Sequence, residues 1–156
     1  MHPRFETLDL IDLISERHVQ LRSIREQVWN ERNEMYISNS EWFIMARIYQ
    51  QNPTISQVTR QVDISRQATH KFIKSLEAKG LVEVMPAQHN KKEKSLRLTP
   101  LGESCYEKNT TIKAALEQII AEALGAEQVE MLKKLLKADW GKLNDLHDMK
   151  KGRESF

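Results

Sequence analysis

A single cysteine, Cys105, excludes an intrachain disulfide and any cysteine-rich zinc site. Glycine and proline are scarce, five and four in 156 residues, which favours long helices over a strand-and-turn architecture. No apolar run approaches the ~20 residues of a membrane span. The N-terminus, MHPRFETLDL, lacks the continuous apolar segment of a signal peptide, so a cytoplasmic protein is expected. There is no glycine-rich phosphate loop, no GxSxG and no HExxH. The five histidines (His2, His18, His70, His89 and His147) are scattered without metal-ligand spacing. Neither catalysis nor a metal or other cofactor is expected. With 40% hydrophobic and 29% charged residues, the chain can form one domain with a core, or a smaller domain with helical extensions.

What the sequence does contain is centred on Thr54 to Gly80, which reads as two helices joined by a tight turn. Thr54 and Gln57 have the spacing of a capping box, and Ile55, Val58 and Val62 follow at helical intervals. Asp63 is expected to take the left-handed conformation in the turn. Ser65 is the expected N-cap of the second helix, and Gly80 is its stop. Ala68, Phe72, Ile73 and Leu76 share one face. At about 100° per residue, Gln67, His70, Lys71 and Lys74 fall on the other, with Arg66 at its edge. A short helix, a turn and a second helix with a basic outer face is the pattern of helix-turn-helix DNA recognition. The alternative is an amphipathic hairpin whose polar face is merely solvated.

The net charge of +2 is unevenly divided. Residues 60–97 hold nine Lys or Arg against four Asp or Glu, while the flanks 1–59 and 98–156 are each slightly acidic. A polyanion-binding surface is therefore expected in the middle of the chain.

Ahead of this segment, a long helix is expected over residues 5 to about 35, with a stripe of Leu10, Leu13, Ile14, Leu21, Ile24, Val28 and Trp29. A second helix, capped by Ser38 and Glu41, is expected from about Ser40 to Gln51. Beyond Gly80 the period changes. Leu81–Met85 and Ser95–Thr99 read as paired strands around the polar loop AQHNKKEK. Two strands and a basic loop after such a helix make a wing, and Lys91, Lys92 and Lys94 at its tip suit phosphate or the minor groove. A solvated hairpin tip is the alternative. Thr99 and Pro100 start a helix expected to reach Leu124. A last helix, from about Glu127 to His147, is expected to bury Val129, Leu132, Leu135, Leu136, Trp140, Leu143 and Leu146. The expected fold is mainly α: a winged helix-turn-helix of a three-helix core and a two-stranded β-wing. The expected divisions are 1–35 (N-terminal dimerisation helix), 36–100 (winged DNA-binding domain) and 101–156 (C-terminal dimerisation helices). Apolar stripes of this length call for a second subunit, and a dimer also presents two recognition helices.

Ser65 opening its helix, LEAKGLVE at 76–83 and LTPLG at 98–102 are together similar to the MarR (multiple-antibiotic-resistance regulator) family of bacterial transcription regulators. The resemblance follows the element order of nearly the whole chain and is sharpest over 54–102. It implies a homodimer that binds a palindromic double-stranded operator, usually as a repressor, and in many members releases DNA to a small ligand or oxidant. By match to the motif, Ser65, Arg66, Gln67, His70 and Lys71 are recognition-helix contacts, and Lys91 and Lys92 are wing contacts. The residue chemistry agrees: Gln67 can read adenine, Arg66 guanine or phosphate, and Lys71 and Lys74 suit phosphate.

Two positions depart from the family pattern. Asn90-Lys91-Lys92 stands where the family usually has Asp-Arg-Arg, removing the partner of a structural ion pair and exchanging arginine for the more strongly hydrated lysine. Thr59 stands where such helices commonly have Ala. Trp29, Tyr36 and Trp42 are candidates to line an effector pocket, with core packing as the alternative. Cys105 is read as a packing residue rather than a redox sensor. The competing function is a winged helix used for protein contacts or RNA binding. The basic face argues against the first use, and the lack of stacking aromatics near the wing argues against the second.

Overall fold

Each helix of the winged core begins where a hydroxyl side chain can close its first turn. In the computed structural model, which describes residues 3–90, 92–143 and 145–146, α1 spans Leu10–Arg32 behind an Asp9 cap. Helix α2 covers Asn39–Ile48 and α3 covers Ile55–Gln61. Both carry complete capping boxes, Ser38 with Glu41 and Thr54 with Gln57, satisfying orphan amides at each start. Helix α4 runs Arg66–Ala78 from the Ser65 cap, whose Oγ accepts from the Ala68 amide at 3.1 Å. Strands β1 (Val82–Pro86) and β2 (Lys94–Leu98) pair antiparallel, with Val82 opposite Leu98 and Val84 opposite Leu96. Leu96 also donates its amide to the Pro53 carbonyl at 2.8 Å, adding a bridge ahead of α3. Helix α5 covers Pro100–Leu124, and α6 covers Ala126–Lys137. Among the described residues, six α-helices and a two-stranded sheet thus realise the expected winged helix.

Two compact units divide at residues 114/115, so α1 and the first half of α5 belong with the winged core. The core of the first unit is mainly apolar where α2, α3, α4 and the wing meet: Ile44, Met45, Ile48, Val58, Leu76 and Leu96 are all solvent-inaccessible. Burial of this kind contributes roughly 1.5–3 kcal/mol per large aliphatic side chain.

Three expectations are corrected. Asp63 does not adopt a positive φ; the only such non-glycine residues among those described are Gln50 and Asn52, in the turn after α2. The α3–α4 turn is made instead from extended backbone at Val62 and Ser65, so it needs no left-handed residue. Helix α1 starts at Leu10 rather than near residue 5, because Asp9 caps it there. Helix α6 ends at Lys137, not near residue 147. Asp139 Oδ1 accepts from the Gly141 amide at 2.8 Å, and Trp140 Nε1 donates to the Leu135 carbonyl at 2.7 Å. This local turn takes the groups a continuing helix would need. Trp140, Leu143 and Leu146, expected in the buried stripe, are exposed, as are Leu132, Leu135 and Leu136. His147 and the tail lie outside the described residues.

Candidate nucleic-acid interface

The inward face of α4 is fixed by Ile73 and Leu76, both buried, and by a residue the sequence reading passed over. Thr69 is fully buried, and its hydroxyl donates to the Ser65 carbonyl at 3.0 Å. Its hidden polar atom is satisfied within its own helix, so it packs as a small β-branched residue. With that face turned in, Ser65, Arg66, Gln67, Lys71 and Lys74 are exposed and His70 is half-buried. Thr59 is accommodated in the same way, donating to the Ile55 carbonyl at 2.9 Å.

Among the described residues, Arg66, Lys71, Lys74, Lys92 and Lys94 have no carboxylate partner. Their basic neighbours differ. Arg97 pairs across the strands with Glu83 at 2.8 Å, and Lys79 Nζ holds both oxygens of Glu41, at 2.7 and 2.9 Å. Of the basic residues counted in the middle of the chain, these two are therefore already engaged.

At the wing tip Asn90 replaces an ion pair with a turn. Its side-chain oxygen accepts from the Lys92 amide and its carbonyl from the Glu93 amide, both at 3.0 Å. Ala87 closes the loop by donating to the Glu93 carbonyl at 3.0 Å. An asparagine does this as well as an aspartate, without needing a cationic partner. Lys92 and Lys94 are exposed, and Lys91 lies outside the described residues.

The two sequence motifs behind α4 form a single joint. Leu81 donates to the Leu76 carbonyl and Gly80 to the Glu77 carbonyl, both at 3.0 Å, with Gly80 at φ +75°. This is a Schellman closure, and the left-handed residue it needs explains the glycine. Thr99 then donates its hydroxyl to the Gly80 carbonyl and its amide to the Leu81 carbonyl, while its Oγ1 caps Gly102 at 3.0 Å.

The aromatic candidates separate. Trp29 and Trp42 are buried in edge contact, with ring centroids 4.8 Å apart, and Trp29 Nε1 donates to the Met35 carbonyl at 2.8 Å. Tyr36 is exposed, with Lys79 Nζ 5.5 Å from its ring centre. Cys105 is buried, and burial pushes its thiol pKa up, which disfavours the thiolate. Among the described residues no three His, Cys, Asp or Glu side chains gather as metal ligands, and no helix is long and apolar enough to cross a membrane.

Residues 37–94 match the model of the MarR family. Among solved structures, Streptococcus pneumoniae FabT in complex with DNA is 20% identical, with 88% of this chain and 96% of that chain covered and a TM-score of 0.74. Wild-type apo MarR from E. coli is 21% identical over 85% and 97%, with a TM-score of 0.70. The S. aureus MepR–DNA complex is 19% identical over 83% and 94%, with a TM-score of 0.68. At such identities these likenesses speak for the fold. No curated protein matches the sequence. The matched segment spans the caps, the α3–α4 pair and most of the wing, so over residues 37–94 the chain is similar to the MarR family in the segment that folds here as a winged helix.

Proposed function

We propose that this protein is a sequence-specific regulator that binds a palindromic double-stranded DNA operator as a homodimer and acts as a ligand-responsive repressor. One observation carries the DNA-binding reading: α4 presents Arg66, Lys71 and Lys74 without acidic partners beside exposed Gln67, while Lys79 and Arg97 on the same segment are neutralised. A polyanion finds here a row of free cations next to a side chain able to read a base edge. Ser65, Arg66, Gln67, His70, Lys71 and Lys74 form the major-groove face, and Lys91, Lys92 and Lys94 form the wing contacts. Two of the similar structures, FabT and MepR, are DNA complexes, which supports the reading.

Dimerisation is assigned to residues 1–35 and 101–156. It is supported by the apolar side chains exposed there, from Leu10 and Ile11 on α1 to Leu135 and Leu136 on α6. Exposed apolar surface on this scale marks an interaction site. Of the three aromatic candidates for effector binding, Tyr36 is the one a ligand can reach without displacing the core, so an effector would be felt there first.

Selection from a random duplex library tests the proposal. Enrichment of a two-fold symmetric sequence, bound more weakly as salt rises, is the expected outcome. Recovery of no preferred duplex, or preference for single-stranded RNA, would replace it with the protein- or RNA-contact reading.

A further inference from the structure

Glu41 is only 3% exposed and belongs to α2, far in sequence from the recognition helix, yet most of its hydrogen bonds go to α4. Its Oε1 accepts from the Ser38 amide at 3.1 Å, which is its role in the capping box. A cap needs no more than that, and an exposed glutamate or glutamine would supply it. Here the same carboxylate also takes Lys79 Nζ on both oxygens, at 2.7 and 2.9 Å, and Ser75 Oγ on Oε2 at 3.2 Å. Lys79 Nζ donates in addition to the Tyr36 carbonyl at 2.7 Å, just ahead of α2. Ser75 and Lys79 are one turn apart at the C-terminal end of α4, so they present both donors from one side of the helix.

We propose that Glu41 is the positioning residue of the recognition helix: through Lys79 and Ser75 it fixes the direction in which α4 presents Arg66 and Gln67. This inference rests on the DNA-binding reading above. Charge-assisted bonds are short and directional, and three of them on one buried carboxylate leave the end of α4 little freedom to tilt or turn. Apolar packing of Ile73 and Leu76 holds the helix against the core but is tolerant of small rotations. The exposed cations of α4 need only nearness to phosphate. Bidentate reading by Gln67 needs the helix aimed, because a base-edge contact is lost when its geometry is lost. Glu41 therefore governs selectivity, and Lys79, despite its charge and place, is withheld from DNA.

The test compares wild type, Glu41→Gln, Lys79→Met and Lys79→Arg on the selected operator and on a scrambled duplex, over a salt series, with folding verified by circular dichroism. Glu41→Gln and Lys79→Met should lower the operator-to-scrambled affinity ratio by about tenfold or more, the effect of one lost charge-assisted hydrogen bond. Scrambled-duplex affinity and the salt slope should stay near wild type, and Lys79→Arg should retain most of the ratio. Where a single variant fails to fold, the pair Glu41→Gln with Lys79→Met, which buries no charge, replaces it with the same expectation. Folded variants that keep the ratio within about twofold, or a Lys79→Met variant whose salt slope drops by about 0.9, as for a lost phosphate contact, would overturn the inference. A wild-type protein without sequence preference would instead remove the DNA-binding reading itself.

Discussion

Gly102 sits against the carbonyl oxygen of Leu81 so closely that a Cβ on it would lie 2.1 Å from that oxygen. The same oxygen accepts the Thr99 amide at 3.0 Å, a bond that any displacement of the carbonyl would strain. The start of α5 and the residue leading into β1 are thereby held at backbone-contact distance, and only glycine fits between them.

Gly102→Ala should accordingly destabilise the protein by about 1–3 kcal/mol, the scale of overpacking in a tight site. Urea unfolding at neutral pH measures it. A midpoint equal to wild type would mean that the joint yields freely.

Acid should weaken the fold partly through Glu41. Burial by itself would raise its pKa, but hydrogen bonds from Lys79 and Ser38 outweigh burial and hold it below the usual carboxylate value. A group depressed in the folded state contributes stability above its unfolded pKa, and the contribution fades as pH falls through the folded pKa. Unfolding free energy should thus drop more steeply for wild type than for Glu41→Gln from about pH 5 downward. Parallel pH profiles would show that the pair does not contribute.

Leu135→Lys or Leu136→Lys, each placing a charge on an exposed apolar face of α6, should produce monomers or insoluble protein. Sedimentation of wild type at micromolar concentration should show a species of twice the chain mass. A single folded species at the chain mass, 18.2 kDa, would remove the dimer from the account.

What is legible in the sequence is what depends on near neighbours. The Ser38, Thr54 and Ser65 caps, the Gly80 stop and the Thr99-Pro100 start each signal themselves within a few residues, and all appear in the structure. The alternation of Val82, Val84, Leu96 and Leu98 likewise marks the two strands, which pair with each other as expected. Long-range uses of a residue are not legible. The capping spacing accounts for Glu41 and hides its bonds to Lys79 and Ser75 more than thirty residues away. Gly102 reads as a motif letter until Leu81 is beside it. The Leu132–Leu146 stripe keeps helical spacing across Asp139-Trp140-Gly141, yet the turn formed there ends α6. The free cations on α4 become distinguishable from Lys79 and Arg97 only once their carboxylate neighbours are known.

The wing should act chiefly through charge. Lys91→Ala with Lys92→Ala should weaken operator and scrambled duplex by similar factors and flatten log K against log salt by about 0.9 per lost contact in each subunit. Lysine is costlier to desolvate than arginine, so dependence on A·T-rich flanks should be small. A clear A·T-flank preference that disappears in the double variant would assign the wing a minor-groove reading role instead.

The most direct measurement of the central claim is the affinity of Arg66→Ala and Gln67→Ala for the selected operator beside a scrambled duplex of equal length. Each substitution should cost about 1–3 kcal/mol on the operator and relax base preference at the positions it reads. Gln67→Ala should leave the salt slope unchanged, because an uncharged side chain releases no counterion. If both variants bind operator and scrambled DNA as wild type does, α4 is not the helix that enters the major groove, and the assignment of its exposed face to DNA is wrong.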